Sequence, residues 1–194
     1  LVRKYKQQYP HVHVTLFEMT ATEQIHAFKN ELIDIGFSRP LPESIRDEFI
    51  KHDIYIDKLV AVLNNDHNES DKLSIDLNDL KNDKFVIFDR DEAVGLFDET
   101  IMLCKSAGFS PNIISHPRHM QTLVTEVAAG LGVSIAPYCI RKLYSEGCGF
   151  VPIKNATKKI PVEVQYKQSN LNATVHAFVD IALTAKPEIQ RSMA

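Results

Sequence analysis

The residues from Thr20 to Pro40, TATEQIHAFKNELIDIGFSRP, constrain the fold more than any other stretch of the chain. Thr20 and Glu23 have the spacing of a capping box, in which a hydroxyl and a carboxylate each take a backbone N–H left over at a helix start. Ile25, Phe28 and Leu32 then fall on one face at three- and four-residue steps. After Asn30 and Glu31 the run LIDIGF takes the continuous apolar character of a buried parallel strand. The expectation is about three turns of helix, a strand, and Arg39 at that strand's C-terminal end. In open α/β sheets ligands bind at such ends, beside helix N-termini whose N–H groups attract anions.

The rest of the chain can be read outward from this stretch. LVRKYKQQYPHV opens inside a helix ended by Pro10, which predicts that earlier parts of the domain lie outside this sequence. The alternating HVHVTLFEM predicts a strand, so the chain would begin with a β-α-β unit. RPLPES is a loop, HDIYIDKLVAVLNN reads as one long strand or two joined by a bend, and LSIDLNDLKND predicts a short helical turn. The pattern then restarts: strand Phe85–Phe88, helix Val94–Ala107, strand Asn112–Ser115, helix His119–Ala129, strand Val133–Ala136, helix Tyr138–Ser145 and strand Gly149–Ile153. IPVEVQYKQ adds a late strand, and Ala173–Ala185 a helix with Val175, Phe178, Val179 and Ala182 on its apolar side. Returning the late strand to the first sheet divides the chain into subdomain I (1–80 and 160–194) and subdomain II (81–159). Two crossings, near 79–84 and 155–161, would then form a hinge beside a ligand-trapping cleft.

Composition excludes several functions. An apolar share of 44% and a charged share of 24% belong to an ordinary soluble protein. A net charge of −3 with scattered basic residues argues against this chain itself gripping a phosphate backbone. Cys104, Cys139 and Cys148 lie far apart without a CxxC pair, which predicts neither a disulfide framework nor zinc and points to a reducing, cytoplasmic setting. No apolar run is long enough to span a membrane. His116 and His119 invite a metal reading, but Pro117 interrupts helical spacing and no third ligand is evident, so no metal or cofactor is expected. There is no GxSxG, P-loop or GxGxxG after a strand to support an enzyme.

With ELIDIGFSRP and the downstream run VAAGLGVSIAP in their order, the chain resembles the effector-binding domain of LysR-type transcriptional regulators. In that run Gly130 can end a helix in a left-handed conformation and Gly132 can turn the chain into the strand VSIA. The resemblance implies an α/β fold of two Rossmann-like subdomains joined by two crossover strands, of the periplasmic-binding-protein type II kind. IGFSRP is similar to the branch that senses benzoate and muconate, implying a small, anionic effector, aromatic or dicarboxylic, in the cleft between subdomains. Carried over by motif, its ligand-facing positions become Thr20, Ala21 and Thr22, Arg39, Phe97, and His119 with Gln121. Ala21 stands where the branch has its hydroxyl, so either Thr20 or Thr22 substitutes or that contact is lost.

Tyr55 stands where a second site of that branch has an arginine. A peroxide-sensing pair is not matched either, since the position nine residues before Cys104 is Gly95. The family's first strand and helix-turn-helix fall outside this sequence, so DNA would be reached only through that missing part, by a homodimer or homotetramer. Each site residue also has a plain reading: Arg39 as a surface arginine, Thr20 and Thr22 as caps, Phe97 as core. The alternative function on the same fold is a solute-binding protein of a transporter.

Overall fold

The structure, a computed structural model, describes residues 1–143 and 145–193. Its elements are α1 (Val2–Gln8), α2 (Ala21–Lys29), β1 (Gly36–Ser38), β2 (Phe49–Asp57), β3 (Leu59–Asn64), β4 (Lys84–Val86), α3 (Val94–Ser106), β5 (Asn112–Ser115), α4 (Met120–Ala128), β6 (Ser134–Pro137), β7 (Cys148–Pro152), β8 (Ile160–Lys167) and α5 (Ala173–Met193). Single 3-10 turns cover Arg46–Glu48, Leu77–Leu80 and Tyr138–Lys142.

The chain divides into two compact units, Leu1–Ile56 with Pro161–Ala194, and Asp57–Ile160. In the first, the strand order is β1-β8-β2. The late strand thus returns to the first sheet, between two strands from the other end of the chain. One face of this sheet carries Val164 and Tyr166, packed with Ile54 and with Val175, Val179 and Ala182 of α5. Phe28 of α2 packs with Leu41 and Phe49 in a separate core, and full burial of a side chain of this size is worth roughly 2–3 kcal/mol. Asn172 starts α5 by accepting from the Thr174 N–H (3.0 Å) and hydroxyl (2.8 Å). Near its end Gln190 accepts from the Ile56 N–H (2.7 Å) and donates to the Ile56 carbonyl (3.2 Å), closing the end of β2.

In the second unit β3 is central, antiparallel to both β6 and β7. β4 and β5 run parallel, and a parallel bridge from Phe85 to Val133 joins them to β6. The order across the unit is therefore β5-β4-β6-β3-β7. Five consecutive buried residues from Leu59 to Leu63 put β3 in the middle of the main core, with Leu123, Val124 and Val127 of α4 packed into it.

Several expectations are corrected. The alternating segment after Pro10 forms no strand: Leu16 is 72% and Phe17 61% exposed, and among the described residues none forms a ladder with it. Alternation marks side-chain faces, whereas a strand also needs a neighbour for its backbone groups. Leu32 lies beyond the end of α2 and is 66% exposed, so the helix is shorter than its apolar spacing suggested. The strand that follows is three residues long and antiparallel to β8 rather than parallel. HDIYIDKLVAVLNN takes the second of its two expected forms, two strands parted at Lys58, whose N–H turns back to the Asp57 carboxylate (2.9 Å), but these strands fall in different units. This moves the first crossing from 79–84 to 56–57, because β3 is held between β6 and β7.

Of the helix expected over 138–145, Tyr138–Lys142 forms a short 3-10 run, and Tyr144 lies outside the described residues. The final helix continues past Ala185 to Met193 despite Pro187. Among the described residues no helix is long and apolar enough to cross a membrane.

Candidate functional site

In the first unit the site residues are placed by two elements. Thr20 is the N-cap of α2: its hydroxyl accepts from the Glu23 N–H (3.2 Å) while its own N–H donates to the Glu23 carboxylate (2.8 Å). Ala21 and Thr22 are half-buried in the first turn that follows. Gln24, one turn in, donates to the Phe37 carbonyl (3.2 Å), tying the start of α2 to β1. Arg39, half-buried, comes one residue after β1, and its carbonyl accepts from the Gln165 side chain of β8 (3.0 Å). The helix start and the arginine therefore belong to one bonded assembly at one end of the β1–β8 pair.

In the second unit the parallel strands β4 and β5 direct the remaining residues. Their pairing continues beyond the regular ladder, with Ile87 donating to the Ser115 carbonyl (3.1 Å) and Asp89 to the Pro117 carbonyl (3.0 Å). The loops into α3 and α4 consequently leave side by side. Phe97, in the first turn of α3, is packed against the main core, with its ring 6.2 Å from the ring of His116. His119 is the N-cap residue of α4 but makes no side-chain cap bond, and Gln121 follows in the first turn. Phe97 is thus a core-packed residue whose ring lies near His116, on the loop that leads into α4.

Ion pairs hold these loops: Arg118 binds Glu92, and Arg90 grips Asp98 with two bonds of 2.8 and 3.1 Å. The hydrogen bond from Arg90 pulls the Asp98 carboxyl below its ordinary range. Cys104 is fully buried, and burial pushes its thiol up to about 11, which keeps it protonated and unreactive near neutrality.

Residues that the sequence did not single out complete the first unit's assembly. Glu163 and Gln165 of β8 lie opposite Ser38 and Gly36 in the ladder. Both are buried, and the Gln165 amide also donates to the Glu163 carboxylate (2.8 Å). The signal was present in IPVEVQYKQ, where two polar residues two apart must share one face of a strand.

The sequence matches the LysR substrate binding domain over residues 1–186. The chain belongs to this family. The HTH-type transcriptional regulator YnfL of Escherichia coli (strain K12) is 31% identical over 151 residues, covering 77% of this chain and 50% of the relative. This LysR substrate-binding domain spans about half the length of the curated relatives it matches. Among solved structures, the effector-binding domain of QuiR in complex with shikimate superposes with a TM-score of 0.84 at 17% identity, covering 97% of this chain and 90% of that one. The effector-binding domain of BenM, a regulator of Acinetobacter baylyi, with benzoate gives 0.76 at 20% identity, covering 96% and 84%. The fold is that of LysR effector-binding domains, of the periplasmic-binding-protein type II kind. The family is one of transcriptional regulators rather than enzymes.

Proposed function

We propose that this LysR domain senses a small carboxylate. The effector's charge would meet Arg39 and the Thr20–Thr22 turn, and Phe97, His119 and Gln121 of the second unit would contribute an apolar wall and polar groups. The observation that carries this reading is the bonded assembly of the first unit, in which Gln24 ties α2 to β1 and Gln165 of β8 holds the backbone of Arg39, the residue that follows β1. The solved relatives with shikimate and benzoate hold carboxylates, which supports the same class. An effector acts by linkage: it shifts the domain toward the conformation it binds better, by no more than its differential affinity. In a whole regulator that shift would be relayed to DNA through a helix-turn-helix outside this sequence, in a homodimer or homotetramer in the cytoplasm.

A thermal-shift screen of small carboxylates, with sugars and amines as controls, tests the proposal. At a hundredfold excess over Kd a ligand of the folded state contributes about 2.7 kcal/mol. For a chain of this size that raises the melting temperature by about 5–10 °C. Stabilisation by carboxylates that disappears in Arg39→Ala is the expected outcome, and a response to neutral or cationic compounds alone would remove the anion from Arg39.

A further inference from the structure

The face of the β1–β8 pair beneath α2 is unusually polar. Gly36 lies opposite Gln165 and Ser38 opposite Glu163, and opposed residues of an antiparallel ladder share a face. A Cβ on Gly36 would meet Gln24 Oε1 at 2.6 Å and Phe28 at 2.9 Å, so this face looks toward α2. The neighbouring Val164 and Tyr166 take the opposite face, in the α5 core. Glu163 is only 8% exposed and Gln165 is fully buried, positions where a carboxylate and an amide are costly unless bonded.

The bonding is one-sided. Gln165 Nε2 is committed to two acceptors, the Arg39 carbonyl (3.0 Å) and Glu163 Oε2 (2.8 Å), which fixes the orientation of its amide. Its Oε1 has no hydrogen-bond partner among the described residues, and neither has Gln24 Oε1 on the same face. Beside the backbone of Arg39, β8 and α2 together therefore present an acceptor-rich group comprising the Glu163 carboxylate and the amide oxygens of Gln165 and Gln24. A plain carboxylate effector would bring only further acceptors.

Resting on the anion reading of Arg39 and the Thr20–Thr22 turn, we infer that the effector is a carboxylate that also carries a hydroxyl or amino donor, with Glu163 as the acceptor for that donor. Gln165 is a positioning residue: it clamps Glu163 to the backbone of Arg39, so the group that takes the donor and the residue that takes the anion keep a fixed separation. A donor bonded to a carboxylate makes a charge-assisted bond, roughly twice as strong as a neutral one. Effectors with the extra donor are thereby favoured over their bare analogues.

Matched pairs test this by calorimetry on the whole chain: shikimate against 1-cyclohexenecarboxylate, 3-hydroxybenzoate against benzoate, and lactate against propionate. In the wild type the donor-bearing member of at least one pair should bind fivefold tighter or more. Glu163→Gln should remove that preference, while the bare acid, relieved of a like charge beside its carboxylate, should bind no more weakly than in the wild type. Glu163→Asp, which keeps the charge but withdraws it by one methylene, should reduce the preference and serves if Glu163→Gln does not fold. Equal affinities within every pair, or equal weakening of both members by Glu163→Gln, would overturn the inference while leaving the carboxylate reading intact. Affinities unchanged by Arg39→Ala would instead sink the underlying reading, and binding by no member of any pair would sink both.

Discussion

Replacing Gly132 by alanine should unfold the second unit's sheet at lower temperature, and the structure gives the size of the effect. The run VAAGLGVSIAP ends α4 in a Schellman motif, with Gly130 at φ 75°, the Gly130 N–H on the Val127 carbonyl (2.9 Å) and the Leu131 N–H on the Glu126 carbonyl (3.1 Å). Gly132 is needed for a different reason than the left-handed backbone of Gly130. A Cβ there would lie 2.6 Å from the Lys84 carbonyl oxygen and 3.0 Å from its carbon. Both are backbone atoms, so the strand itself must move.

That same oxygen accepts from Val133 N–H (2.8 Å), and the Val133 carbonyl accepts from Val86 N–H (2.8 Å), the two bonds that join β4 to β6. Weakening two buried bonds costs about 1 kcal/mol each. Local overpacking adds on the order of 1–3 kcal/mol. A total of about 3 kcal/mol corresponds to a melting temperature lower by about 6–12 °C for a chain of this size. Thermal and urea unfolding followed by circular dichroism would measure it, with Gly95→Ala as the control, since nothing lies within 4 Å of a Cβ at that helical position. Gly95→Ala should be neutral or slightly stabilising. If Gly132→Ala melts within 2 °C of the wild type, roughly 1 kcal/mol or less by the same conversion, the close approach of the two strands is not what the glycine serves.

Thr20→Ala removes the hydroxyl of the capping box while Glu23 stays in place, and should lower stability by about 1 kcal/mol in urea titration even without ligand. An unchanged midpoint would leave Thr20 with no structural role. Lys158→Met strands the buried Glu99 carboxylate that it pairs with. Because the lysine is itself largely exposed, the expected loss is about 1–2 kcal/mol rather than the value for a fully buried pair. Cys104 supplies a pH test. Its pKa in the fold is raised from 9.0 to about 11, so between those values the unfolded chain has released a proton that the folded one keeps. Stability should hold below pH 9 and fall as the pH rises toward 11, and Cys104→Ala should flatten that slope. An equal slope in both proteins would locate the titrating group elsewhere.

Local chemistry was legible in the sequence wherever the interaction is local. The Thr20–Glu23 box, the Gly130 helix end, α3 and α4 depend on bonds between residues a few positions apart, and they appear within a residue or two of where the spacing puts them. The family itself was legible for the same reason, since its motifs are short runs in a set order.

Partnership between distant segments was decided only in three dimensions. The alternating residues after Pro10 have the faces of a strand but no ladder among the described residues. β2 and β3 are almost continuous in sequence, yet packing assigns them to different units. The Gly132 requirement comes from Lys84, 48 positions away, and the Arg39 carbonyl is held by Gln165, 126 positions away. A sequence states what each residue can donate, accept or bury. Which partner satisfies it is settled when the whole chain closes on itself, because backbone bonds and buried polar groups must all be matched at once.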